Sequence, residues 1–197
     1  NGLPNGSWCV TEGKNGELFI GHTKNGFSVV DTLSHSFTNF DKSNGLPGNS
    51  VFTITADRSG NIWIGTDHGA ALFNPSTATI TPFVHDEGNA NSIGAGRVRG
   101  ICALDNGEIW FATDQGGVSI LDTRSYVYAD ISHAKFTSMP VNGMREGTSS
   151  ANIRCITQDS FGNIWIGNYR SGVNLVSHIE PLFAQLDYIT QTPGPFI

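Results

Sequence analysis

The chain has little charge, little sulfur and no long apolar run. Asp, Glu, Lys and Arg make up only 14% of its 197 residues, against the ~25% usual in globular domains. No block of basic residues occurs and the formal net charge is −6. That excludes the basic patch that nucleic acid or an anionic membrane surface requires. No apolar segment reaches the ~20 residues of a membrane span, so membrane contact by this segment is not expected either. Helical periodicity is also missing, the nearest candidate being the short stretch 181–188. The three cysteines, Cys9, Cys102 and Cys155, cannot all pair within the chain. They read as small buried apolar residues on inner strands. The six histidines are scattered and no Cys/His set has zinc spacing. Neither a metal nor a cofactor is expected.

What the chain has in quantity is glycine, 24 residues, and a repeated six-letter segment. Gly60 to Gly65 reads GNIWIG, and Gly162 to Gly167 repeats it; weaker copies are GELFIG from Gly16 and GEIWFA from Gly107. The aromatic residues of the four copies are Phe19, Trp63, Trp110 and Trp165, spaced 44, 47 and 55 residues apart. A glycine precedes each by three residues: Gly16, Gly60, Gly107 and Gly162. A β-branched residue precedes each by nine: Val10, Ile54, Ile101 and Ile156. A period of ~40–50 residues built from short β segments is that of propeller blades.

Each unit divides into four strands. The first covers about 7–12, 50–56, 97–103 and 152–158 in the successive units; the second contains the repeated motif. The third covers 27–31, 70–74, 118–122 and 173–177. The fourth covers 36–41, 79–84, 134–138 and 182–188. The expected fold is therefore all-β: four four-stranded antiparallel propeller blades at about 1–43, 44–90, 91–145 and 146–190, with a tail at 191–197. In Asn61 to Thr66, Ile62 and Ile64 point to one side and Trp63 and Gly65 to the other. Both sides are apolar, so both faces are expected to be buried between neighbouring blades. Asp57 and Asp159 open the turn before the second strand, where a carboxylate accepts backbone N–H bonds, while Gly60 and its equivalents supply a positive φ. Asn1 to Ser7 match Asn44 to Ser50, so the chain begins in phase with a repeat and is expected to be a piece of a larger propeller.

The Asp57 turn resembles the Asp-box of sialidases, which is structural. The whole unit resembles the two-component regulator propeller repeat: Leu46 to Asn74 follows its pattern closely and Ala151 to Ser177 nearly as well. That resemblance implies the sensor region of a hybrid two-component regulator from glycan-degrading bacteria, outside the cytoplasm and in the periplasm. In that family, paired seven-bladed propellers precede a β-sandwich, a membrane helix, a kinase core and DNA-binding parts. It further implies a ligand-sensing segment that responds to oligosaccharides without catalysis and belongs to a sensor histidine kinase.

Two groups of residues are candidates for ligand contact. Eleven residues before each motif aromatic stand Trp8, Phe52, Arg99 and Arg154, joined by Arg97. Aromatics and guanidiniums together suit sugar rings and their carboxylates or sulfates. The alternative is that they only pack between blades or face water. The second group lies in the loops after the motif: His22 and Lys24, Asp67 and His68, Asp114 and Gln115, and Tyr169 and Arg170. Polar loops on a rigid scaffold carry function, though solvated turns use the same residues. The loop from Ser138 to Ser150, with Met139, Met144 and Arg145, is a candidate edge cover. The competing functions are a protein-interaction propeller or a propeller lyase or glycosidase. An open set of blades leaves two apolar faces uncovered, so a homo-oligomer is expected, with a second copy or other blades as the partner.

Overall fold

The computed structural model describes residues 2–126, 128–141 and 147–177. Among these residues, alternation of apolar residues with short turns gives fifteen strands in four antiparallel sheets. The first blade holds β1 (Ser7–Glu12), β2 (Leu18–His22), β3 (Phe27–Asp31) and β4 (Ser36–Phe40). The second holds β5 (Val51–Ala56), β6 (Ile62–Thr66), β7 (Gly69–Asn74) and β8 (Thr79–Phe83). The third holds β9 (Val98–Ala103), β10 (Glu108–Thr113), β11 (Val118–Asp122) and β12 (Thr137–Ser138). The fourth holds β13 (Ile153–Gln158), β14 (Ile164–Asn168) and β15 (Val173–Val176). Within each blade the strands pair in sequence order.

One expectation needs correction. The outer strand of the third blade is not 134–138 but Thr137–Ser138, because the chain before it forms a 3-10 helix, Tyr128–His133. Ile131 of that helix and Phe136 fill the space against the second blade. The fourth blade has three strands among the described residues; the expected outer strand at 182–188 lies outside them, as do Met144 and Arg145.

Three apolar cores sit between blades rather than within them. Phe19 and Phe27 of the first blade meet Ile54, Ile62, Ile64 and Phe73 of the second. Trp63, Leu72 and Phe83 meet Ile101, Ile109 and Phe111 of the third. Trp110 and Val118 meet Ile153, Ile156, Ile164 and Ile166 of the fourth. Each motif aromatic thus points forward to the next blade, and the residues on either side of it point back. Burying a side chain such as Trp63 contributes ~2–3 kcal/mol. A Cβ on Gly65 would sit 2.8 Å from the Val98 carbonyl oxygen and 2.6 Å from Thr53 Cγ2, so the residue after the aromatic must be this small. Hydrogen bonds add to the seams: Thr11 Oγ1 donates to the Ile54 carbonyl at 2.7 Å and Thr55 Oγ1 to that of Ile101 at 3.1 Å.

Among the described residues, the first and fourth blades each have a face without this cover. Val10, which takes the place of Ile54, is 63% exposed. Trp165 is half-buried where Trp63 is fully buried. Cys155 is exposed, and Cys9 and Cys102 are half-buried, which corrects the expectation of three buried thiols. Burial pushes the Cys9 thiol up to about 11, so it stays protonated.

The turn before the second strand is held by its acid. Asp57 Oδ1 accepts from the Ser59 and Asn61 amides at 2.9 and 3.0 Å, and Oδ2 accepts from Trp63 Nε1 at 3.0 Å. Asp159 accepts from the Phe161 and Asn163 amides and from Trp165 Nε1, each at 2.9 Å. These donors, the indole first, hold the Asp159 carboxyl down at about 2. In the third blade, where Leu104 replaces the acid, Trp110 Nε1 donates to Glu108 Oε2 at 2.9 Å. In the first blade the aromatic is Phe19, which has no N–H, and Gly13 stands in the acid's place.

Candidate ligand-binding site

One backbone irregularity recurs in all four blades. The ladder between first and second strands skips one residue: between Ser7 and Cys9, Val51 and Thr53, Val98 and Gly100, and Ile153 and Cys155. The extra residue of this β-bulge is Trp8, Phe52, Arg99 and Arg154 in turn. A bulge re-aims its side chain and breaks the alternation of the strand. Core residues therefore fall three apart across it, as Val51 and Ile54, Val98 and Ile101, and Ile153 and Ile156 do. That spacing, odd for a strand, is the sequence signal of the bulge.

The loops after the motif are tied to the same end of the blades. The amide of Thr23 donates to the Gly6 carbonyl at 3.0 Å, Asp67 to Ser50 at 3.0 Å, Asp114 to Arg97 at 3.0 Å, and Tyr169 to Asn152 at 2.8 Å. Both candidate groups thus share one rim. Across it, Trp8 and Phe52 stand 5.7 Å apart between ring centroids, and Arg99 lies 4.2 Å over the Phe52 ring. Further round, Arg154 and Arg170 lie 4.4 and 5.0 Å from the Tyr169 ring centroid.

Trp8, Ser50, Phe52, Asp67, His68, Arg97 and Arg99 line a cleft of ≈ 500 Å³. Asp67 Oδ1 accepts from the Ser50 amide at 3.2 Å, and Oδ2 lies 3.1 Å from His68 Nδ1. Asp114 borders the cleft and accepts from the Arg97 amide at 2.8 Å. Ser50 is the lining residue that the sequence candidates lacked. Its signal is positional: it stands in the second repeat where Arg97 stands in the third.

His22 does not join them. It is fully buried, with Nε2 2.8 Å from Ser28 Oγ and Nδ1 3.3 Å from Ser7 Oγ. Ser28 Oγ donates onward to Asn39 Oδ1 at 3.1 Å, so Nε2 carries the proton and Nδ1 accepts from Ser7. Burial lowers its pKa. His22 pins its loop as Thr66 does, whose Oγ1 donates to the Gly69 carbonyl at 2.9 Å. Lys24 and Gln115 are exposed and outside the cleft lining. Arg154, Tyr169 and Arg170 form their own stack one blade on. Two other clefts, of ≈ 480 and ≈ 400 Å³, involve the turns before the second strands, at the opposite end of the blades.

The family model described as "Two component regulator propeller" matches residues 45–68 and 147–170. These are the GNIWIG units, each running through the bulge residue and the loop of the rim. The chain carries two-component regulator propeller repeats. No curated protein sequence matches it. Among solved structures, the repeats superpose on the extracellular domain of a B. thetaiotaomicron protein assigned as a hybrid two-component system, with a TM-score of 0.69 and 35% identity over 90% of this chain. A second B. thetaiotaomicron extracellular domain, assigned to a one-component system, gives a TM-score of 0.71 at 19% identity. A streptogramin B lyase gives 0.63 at 16% identity; these last two share the fold alone. The chain spans 21% and 24% of the two B. thetaiotaomicron chains and 54% of the lyase.

Proposed function

We propose that the chain is a ligand-sensing propeller segment from the periplasmic part of a hybrid two-component regulator, that it responds to oligosaccharides, and that it performs no catalysis. The observation that carries this is the bulge-built rim. Four equivalent backbone irregularities aim four side chains at one surface, and the first two are aromatic. Trp8 is 59% exposed and is braced by Phe52, which gives a sugar an aromatic face to stack on. The extracellular placement of the 35% identical relative supports the location, and the repeat supports the signalling role.

Calorimetric titration of the chain with a panel of plant and host oligosaccharides tests this reading. Binding is expected for at least one sugar, is expected to be lost in Trp8→Ala with Phe52→Ala, and is expected to leave the sugar uncleaved. Released fragments on product analysis would instead assign the rim to a lyase or glycosidase.

A further inference from the structure

Resting on the oligosaccharide reading, we propose that the cleft selects sugars bearing an anionic group, a uronate carboxylate or a sulfate ester, which Arg97 and Arg99 hold while Trp8 takes a ring face and Phe52 braces Trp8 and Arg99. The chain is acidic overall, yet four of its seven arginines, Arg97, Arg99, Arg154 and Arg170, stand on this rim. Local field, not net charge, decides which ion a cleft attracts.

The counter-charge beside the pair is incomplete. Asp114 Oδ1 is taken by the Arg97 backbone amide at 2.8 Å. Its Oδ2 alone faces the two guanidiniums, 3.5 Å from Arg99 Nε and 3.9 Å from Arg97 Nη1. Charge-assisted N–H···O bonds run ~2.7–2.9 Å, so one carboxylate oxygen is shared by two cations at long range. Arg99 Nε is buried and has no hydrogen-bond acceptor, a costly state for a charged donor. Asp67 does not repair this: its oxygens meet the Ser50 amide and His68, and the ion pairs of Arg97 and Arg99 within 4 Å are with Asp114.

The pair is also presented in a usable way. Stacking on Phe52 fixes the Arg99 guanidinium without supplying an acceptor for its N–H groups. Arg97 keeps 54% of its side chain in solvent and can close on a bound group. An oxyanion entering between them receives planar donors of the geometry that suits carboxylate and sulfate. The aromatic pair alone would accept any sugar ring, so the arginines set the selection.

Three probes separate the possibilities: a galacturonic acid trisaccharide, its methyl ester, and a sulfated galactose trisaccharide, each titrated calorimetrically at low and high salt. The acid is expected to bind about tenfold more tightly than its ester, as a charge-assisted bond contributes, with affinity falling as salt rises. Arg97→Gln and Arg99→Gln should each cost the acid far more affinity than the ester and so shrink that advantage, with melting curves confirming that both variants fold. Comparing the acid with the sulfated sugar shows which anion the cleft takes. Equal binding of acid and ester would overturn the selection for charge while leaving the oligosaccharide reading intact. Binding of none of the three would overturn the selection for charge, and the oligosaccharide reading would then be decided by the wider panel above.

Discussion

Asp57 and Trp63 depend on each other across six residues of chain. The indole is fully buried, so its N–H needs an acceptor, and the turn carboxylate that fixes the backbone supplies it. The four blades follow this need. Trp63 and Trp165 have the aspartate, Trp110 has Glu108, and Phe19, without an N–H, has glycine in the acid's place. The acid is therefore present for the indole as well as for the turn, a link that the turn rule alone misses. Asp57→Ala should cost about 1–3 kcal/mol, because it strands a buried donor. In a Trp63→Phe background the same change should cost about 1 kcal/mol less. Urea unfolding of the two single variants and the double variant checks this; strictly additive losses would show that the indole bond contributes nothing.

Each blade has an inner hairpin that is bulged and a loop that is pinned. Strand order and nearly all strand limits were legible in the sequence, since motif, turn and apolar segment recur in fixed phase. The bulge has a sequence signal in the three-residue spacing of Val51 and Ile54 and their equivalents, but that spacing does not say where the skipped side chain is aimed. Loop geometry was legible only in part. His22 reads as an exposed polar residue, and only the packing of Ser7, Ser28 and Asn39 around it turns it into a buried pin. Position within the array also matters at this scale. Gly26 and Gly16 both take positive φ, +67 and +84. A Cβ on Gly26 would strike the Phe40 carbonyl oxygen, whereas one on Gly16 meets nothing within 4 Å. Gly16→Ala should cost only the left-handed backbone penalty of about 1–2 kcal/mol. Gly26→Ala should cost clearly more, since β4 must move. Thermal melts of the two variants test the order, and equal losses would contradict it.

At the scale of the whole molecule, the described residues of the four blades present two unlike outer faces. The leading face shows Val10; the trailing face shows Trp165 and Cys155. Between the blades, surfaces of these two kinds pack on each other three times, so a leading face of one copy complements the trailing face of another. We propose that copies of this chain associate through these faces. Light scattering at high concentration should give a mass of two chains or more, and Val10→Glu should return it to one. A monomeric mass at every concentration would reject the association.

The sequence by itself determined the period, the strand order and the sandwiching of the motif, because burial on both faces demands apolar residues on both faces and turns demand glycine and aspartate. It also placed Trp8, Phe52, Arg99 and Arg154 in equivalent positions. Only the tertiary structure decided what those positions do. Whether a side chain is a rim residue or a core residue depends on a one-residue bulge and on which blade stands beside it. The same logic leaves Val10 wet while Ile54 is buried, and separates His22 from a cleft that His68 lines.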